Sequence, residues 1–391
     1  MIQFGQEIDR FNTHSVKWDH TEAIFEKEGL LPMWVADMDF KAPEPVINAL
    51  KKRVEHGIFG YSMPTQETKE SIQNWLRKRH DWNIDTDWIV FTPGVVPALS
   101  AAINTYTSPE DGVLIQSPVY YPFGDMIKKN NRQLVDSPLV FNGISYEMDF
   151  DDLNEKLSDP GLKMMLLCNP HNPVGRVWTK KELERLANLC LTHDVLLISD
   201  DIHFDLIYKG VTHTVISTLS KEVEQKAITC IAPSKTFNLA GMQLSTIIIP
   251  DEEKREKFNE YLGKIGFFAP NPFGLVAVEA AYNEGEEWLD NLMDYLQGNL
   301  DFLKSFIEEK LPDIKVIEPE GTYLVWLDFR KLGFSHKELE TFMQDEAKLA
   351  LDEGYIFGKE GEGFERINIA CPRSLLKEGL ERLETALNNK L

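Results

Sequence analysis

Four short apolar runs in this chain each end in residues able to do chemistry. Ala227-Ile-Thr-Cys-Ile231 leads into Ala232-Pro-Ser-Lys235, and Val195-Leu-Leu-Ile-Ser199 ends at Asp200. Met164 to Cys168 leads into Asn169-Pro-His-Asn-Pro-Val-Gly175, and Trp88-Ile-Val-Phe91 into Thr92-Pro-Gly-Val-Val-Pro-Ala-Leu99. In open α/β sheets ligands gather outside the carboxyl ends of the strands, so the residues just after such runs are the first candidates for a site. A lysine there can act as nucleophile or base, and an aspartate can hold a cation. A glycine turn opening a helix can seat an anion on free backbone N–H groups. Each piece alone has a plainer reading. Asn-Pro-x-Asn-Pro-x-Gly is turn chemistry, an Asp after a strand is a cap, and a loop lysine is solvated. The joint arrangement in one chain is what points to a site.

The elements that would position these groups follow from the hydrophobic pattern. Strands are expected at Trp88 to Phe91, Val113 to Ile115, Lys163 to Cys168, Val195 to Ser199, Ala227 to Ile231 and Leu244 to Ile249, each short and bounded by turn formers. Helical patterns lie between several of them. In Lys181 to Cys190, for example, Leu183, Leu186, Ala187 and Cys190 share one face. Alternating strands and helices imply an α/β fold, a mainly parallel sheet covered on both faces. After about residue 285 the pattern changes to long amphipathic stretches around Asn299 to Lys310 and Lys377 to Leu387, with strand-like Tyr323 to Phe329 between them. The expected division is an N-terminal arm and part of a small domain over 1–45, a large domain over 46–284 and a small α+β domain over 285–391. Pro32, Pro43 and Pro45 disfavour a continuous helix in the arm, which should pack on the small domain or a partner subunit.

Composition bounds the function. The chain has 391 residues, 43% of them hydrophobic, enough for the core of a large enzyme. Its 63 acidic and 41 basic residues give a net charge of -22, which opposes nucleic acid and anionic lipid as partners. Cys168, Cys190, Cys230 and Cys371 are scattered without metal-ligand spacing and read as reduced core residues. The N-terminus has early acids and no apolar leader core, and no stretch approaches the roughly 18 apolar residues of a membrane span. A cytoplasmic location is expected.

The four segments, in this chain order, resemble those of the fold-type I pyridoxal-phosphate enzymes of the aspartate aminotransferase fold. Asn172 precedes Asp200 by 28 positions and Lys235 follows it by 35, close to that family's separations, and Ser234-Lys-Thr-Phe-Asn-Leu-Ala-Gly241 is the most specific match. The resemblance implies pyridoxal 5'-phosphate as cofactor, joined to Lys235 as a Schiff base. It implies Asp200 at the ring nitrogen, Asn172 and His203 beside the 3'-oxygen, and Tyr120 stacked on the ring with Tyr121 on the substrate side. The phosphate would sit on the N–H groups of Val95 and Val96 and the Ser234 hydroxyl, with Tyr61 reaching it across a homodimer interface. Arg366, in Phe364-Glu-Arg-Ile-Asn-Ile-Ala370, would grip the substrate carboxylate, with Arg373 a nearby alternative. Two positions depart from the common pattern. Gln243 and Ala232 stand where many aminotransferases have a phosphate-binding Arg and a Ser.

Within this superfamily the chain resembles the MalY/PatB group of cystathionine β-lyases, or C-S lyases. Ser15-Val-Lys-Trp-Asp19, Leu31-Pro-Met-Trp-Val-Ala-Asp-Met-Asp-Phe40, Gly57-Ile-Phe-Gly-Tyr61, Asp200 to His203, Gln243 and Ala370-Cys-Pro-Arg373 carry that match. The first two lie apart in sequence from the shared cofactor machinery. The resemblance implies α,β-elimination of L-cystathionine or a related cysteine conjugate to a thiol, pyruvate and ammonia. Lys235 would be the base, and Lys235, Tyr120 or Tyr121 would protonate the departing sulfur. An amino-acid aminotransferase is the alternative, because the same residues support transamination, and a purely regulatory binding protein is a more remote one.

Overall fold

The structure, a computed structural model, describes residues 4–390. Seven strands form the main sheet, in the order Ile89–Thr92, Ser245–Ile248, Ala227–Ile231, Leu196–Asp200, Leu162–Cys168, Gly112–Ile115 and Gln133–Asp136. Ser245–Ile248 runs antiparallel to both its neighbours, and all other pairs with known register are parallel. All six expected strands are present, within a residue or two at their ends. The seventh, Gln133–Asp136, lies at the sheet edge with its side chains exposed or half-buried, so no apolar run announces it.

The near-continuous hydrophobicity of the strands has a direct cause. Side chains alternate between faces with period two, and here both faces are covered. Along Leu162–Cys168, Met164, Leu166 and Cys168 join the core under helix Val95–Tyr106, while Met165 and Leu167 join the opposite core with Leu183 and Leu186. The latter two lie on helix Lys180–Thr192. Its start is fixed by a reciprocal pair in which Thr179 caps the Glu182 N–H and Glu182 caps the Thr179 N–H. All four cysteines are buried and unpaired.

A second sheet, wholly antiparallel, has the order Lys315–Ile317, Leu324–Asp328, Phe364–Asn368, Asp352–Glu353. Helices Glu286–Lys310 and Arg373–Lys390 contain both long amphipathic stretches expected from the sequence. Gly285 separates the former from Pro272–Glu284. A Cβ there would meet the Ala281 carbonyl at 2.4 Å and the Phe237 ring at 2.6 Å. Among the described residues, the N-terminal segment holds only the short helices Val16–Asp19 and Thr21–Phe25 before Leu31–Pro32, which pairs with Leu349–Ala350. A longer helix begins only at Glu44, with Pro45 in its first turn where no intrahelical N–H is required. No helix among the described residues is long and apolar enough to cross a membrane.

Candidate active site

A cavity of about 230 Å³ opens at the carboxyl ends of the central strands, large enough for a ring-sized molecule and too small for a macromolecular segment. Val95, Val96, Tyr120, Asn172, Asp200, His203, Ser234 and Lys235 all line it. Eight of the eleven residues singled out from the sequence thus converge on one space, although they span 140 positions of chain. Strand termination explains the convergence. Each strand ends where its polar residue begins, and parallel order brings those ends to the same edge of the sheet.

Lys235 stands on the single turn Pro233–Thr236, and its Nζ donates to the Ala36 carbonyl at 2.7 Å. Burial lowers its pKa to about 8, assisted by the charge of Arg366 and opposed by those of Asp37 and Asp200. Asp200, 4% exposed, accepts a hydrogen bond from the Ile202 N–H at 3.1 Å. Burial raises its carboxyl to about 7, against the pull of that N–H and of Lys235. His203 is held well below its usual value by burial and by the Lys235 and Arg366 charges, so its imidazole is neutral. Its Nδ1 has no partner. Helix Val95–Tyr106 presents its first N–H groups after Gly94.

Arg366 lies outside the cavity lining, beside Asn172. It is 3% exposed on Phe364–Asn368 and donates to Asn172 Oδ1 and to the Trp34 carbonyl, both at 3.0 Å. It also pairs with the buried Asp352 and lies 4.9 Å from the Phe357 ring centroid. Arg373 is engaged elsewhere. It donates to Asn299 Oδ1 at 2.6 Å and covers Phe302, so the geometry favours Arg366. The paired tyrosines separate, since Tyr120 lines the cavity and Tyr121 is 45% exposed outside it. Tyr61 is fully exposed, against Phe268 at 6.4 Å between ring centroids, and does not line this chain's cavity.

Sequence reasoning missed Ala36 and Asp352. A backbone carbonyl leaves no side-chain signature, and Asp352 sits in a two-residue strand without a hydrophobic period. The signal that could have found the first was the Leu31 to Phe40 motif, read without a site role.

The aminotransferase class I and II family model matches residues 31–383. The chain belongs to this family. Among class I and II aminotransferase relatives, cystathionine beta-lyase PatB of Bacillus subtilis (strain 168) is 46% identical over 387 residues, covering 99% of this chain and 100% of that protein. Protein MalY of Escherichia coli (strain K12) is 34% identical over 389 residues, covering 99% of each. The crystal structure of cystalysin from Treponema denticola, which contains pyridoxal 5'-phosphate, matches with a TM-score of 0.97 and 43% identity over 100% of both chains. The resemblance to the MalY/PatB group carried by the sequence motifs is borne out over the full chain.

Proposed function

We propose that the chain is a pyridoxal-phosphate-dependent carbon–sulfur lyase that eliminates the thiol from L-cystathionine or a related cysteine S-conjugate, giving pyruvate and ammonia. The observation that carries this reading is the 46% identity, over the whole length, with a protein named as a cystathionine β-lyase. The residues fit the cofactor on physical grounds. Asp200 is a buried carboxyl raised to about 7, which a pyridinium nitrogen would return to the ionised state. The orphaned, neutral His203 beside Asn172 suits a phenolic oxygen. The helix start at Val95 and Val96, with Ser234, suits a phosphate. With Gln243 and Ala232 in place of the more usual Arg and Ser, that phosphate relies chiefly on backbone N–H groups, Ser234 and Tyr61.

The bound cofactor supplies an electron sink for the charge that develops at Cα. Lys235, poised near neutrality, takes the Cα proton as general base. Arg366, oriented by Asn172 and Asp352, holds the substrate carboxylate. Tyr120, whose phenol burial raises to about 12, stays protonated and is the preferred donor to the departing sulfur over the exposed Tyr121.

The active unit in this reading is a homodimer. Val54, Ile58, Phe59, Tyr61, Met63, Ile265 and Phe268 are exposed large apolar side chains, with Phe59 against Phe273 and Tyr61 against Phe268. A surface of that kind marks an interface, and it would carry Tyr61 to the neighbouring phosphate. The proposed division of labour gives residues 46–284 the cofactor, and 285–391 with the N-terminal arm the carboxylate-binding Arg366. The test is pyruvate release from L-cystathionine with no oxo-acid present. A lyase releases pyruvate repeatedly under those conditions, whereas an aminotransferase converts cystathionine once per site to its own oxo-acid, with the C–S bond intact, and releases no pyruvate.

A further inference from the structure

The two motifs that stood apart from the cofactor machinery in sequence meet in space. Asp39, 3% exposed, accepts from Lys17 Nζ at 2.6 Å, from Trp18 Nε1 at 2.8 Å and from Arg10 Nη1 at 2.7 Å. Arg10 also forks onto Asp37 at 2.9 and 2.7 Å and reaches the Met38 carbonyl at 3.2 Å. Lys17 is 1% exposed and lies 3.8 Å from Asp37. Burial alone would raise the Asp39 carboxyl, but the Lys17 charge and the three donors outweigh it and hold it below the ordinary carboxylate value. Asp19 shapes the donor loop by accepting from the N–H groups of Asn12, Thr13 and Ser15.

What this cluster grips is the strap Trp34 to Phe40. The strap's backbone is pinned from the other side by two asparagines. Asn238 donates to the Met38 and Phe40 carbonyls and accepts from the Met38 N–H, and Asn368 donates to the Val35 and Asp37 carbonyls. Two carbonyls of the same strap face the functional side chains. Ala36 accepts from Lys235 Nζ at 2.7 Å and from the Tyr323 hydroxyl at 2.8 Å, and Trp34 accepts from Arg366 Nη2 at 3.0 Å. One short segment therefore touches both the amine end and the carboxylate end of the site. The Trp34 indole is itself held by Thr21 at 3.1 Å and by the edge of Phe25.

We propose that Arg10, Lys17, Asp37 and Asp39 are positioning residues, a buried ionic clamp that fixes the spacing between Lys235 and Arg366 and so matches the site to an α-amino acid. The proposal rests on the roles given above to those two side chains. Four charges drawn together around one strap form a network whose geometry is set by hydrogen bonds at every carboxylate oxygen, which suits it to specify a conformation. An acceptor carbonyl on the Lys235 amine favours its charged form, so a loosened strap makes that amine easier to neutralise.

The test uses full-length Lys17→Met, Lys17→Arg and Asp37→Asn. In cofactor-free protein, Lys235 is acylated with limiting reagent across pH and quantified by peptide mass spectrometry, and its titration midpoint is compared with wild type. In cofactor-loaded protein, KM and kcat for L-cystathionine are measured, and melting temperatures control for folding. Lys17→Met should lower the midpoint by about half a pH unit or more and raise KM by about tenfold with kcat within about threefold. Lys17→Arg should restore both. Asp37 is 20% exposed at its side chain, so Asp37→Asn remains informative should Lys17→Met not fold; because the Asp37 charge itself favours the charged Lys235 amine, the rise in KM and not the midpoint carries the test in that variant. Folded variants with wild-type midpoint and wild-type KM would overturn the clamp. A lowered midpoint in Lys17→Met, restored in Lys17→Arg, together with no pyruvate from wild type, would sustain the clamp and sink the lyase reading instead.

Discussion

Replacing Asp200 with asparagine should stabilise the cofactor-free chain while removing its catalysis. Burial raises this carboxyl from an ordinary 3.8 to about 7, and only one backbone N–H and the charge of Lys235 oppose the shift. A carboxyl raised on folding contributes stability below its unfolded pKa and loses it as pH rises through its folded pKa. The loss is about 2 kcal/mol at pH 5 and about 4 kcal/mol at pH 8, an upper range because interiors relax around a buried charge. Asparagine has nearly the same shape and no charge, so it escapes that loss. The assay is urea denaturation of cofactor-free wild type and Asp200→Asn at pH 5 and pH 8, at one protein concentration because association shifts midpoints. The variant's advantage should be larger at pH 8 than at pH 5, and with cofactor added its pyruvate release should fall by a factor of 100 or more, on the order expected when a stabilising charge is lost. A variant less stable than wild type at pH 8 would refute the argument that burial strains this carboxylate.

Three further outcomes follow from the same geometry. Uptake of pyridoxal phosphate by cofactor-free protein, followed by absorbance, should accelerate as pH rises with a midpoint near 8, because only the neutral Lys235 amine attacks; a flat profile from pH 6 to 10 would contradict this. Arg366→Lys loses the fork that spans Asn172 and the Trp34 carbonyl, so KM for the amino acid should rise roughly 30-fold with a smaller change in kcat, and an unchanged KM would remove Arg366 from substrate binding. If Tyr61 serves the neighbouring site, inactive Tyr61→Ala and Lys235→Ala chains should regain activity when dissociated and mixed, since one site of each mixed dimer is then intact; no recovery in verified mixed dimers would place Tyr61 elsewhere.

The central strands were legible because a strand buried on both faces reads as a short apolar run, and its length and flanking turn formers favour a strand over a buried helix. The edge strand Gln133–Asp136 was not, since one side of it meets solvent and its composition is that of a loop. Lys235, Asp200 and Asn172 were legible as a set because each follows an apolar run and their order and separations resemble those of the fold-type I pyridoxal-phosphate enzymes; the fold brings them to one cavity. The resemblance assigned Tyr120 to the ring and Tyr121 to the substrate side, but adjacent aromatics beside Pro122 carry no periodicity to show that only Tyr120 faces the cavity. Asp352 was hidden for a different reason. It acts through a single long-range pair with Arg366, and pairs formed between strands leave no local pattern. The ionic clamp lay in plain sight as two motifs, yet only the fold shows that Lys17 and Asp39 touch.

The most direct test is pyruvate release from L-cystathionine, without any oxo-acid, by purified cofactor-loaded wild type and Lys235→Ala compared at equal cofactor content. The account predicts continuous pyruvate formation by wild type and none above background by Lys235→Ala. Comparable rates from the two would contradict the role of Lys235 as the base. No pyruvate from wild type with cystathionine, cysteine or cystine, together with amination of the cofactor by a simple amino acid, would contradict the lyase itself.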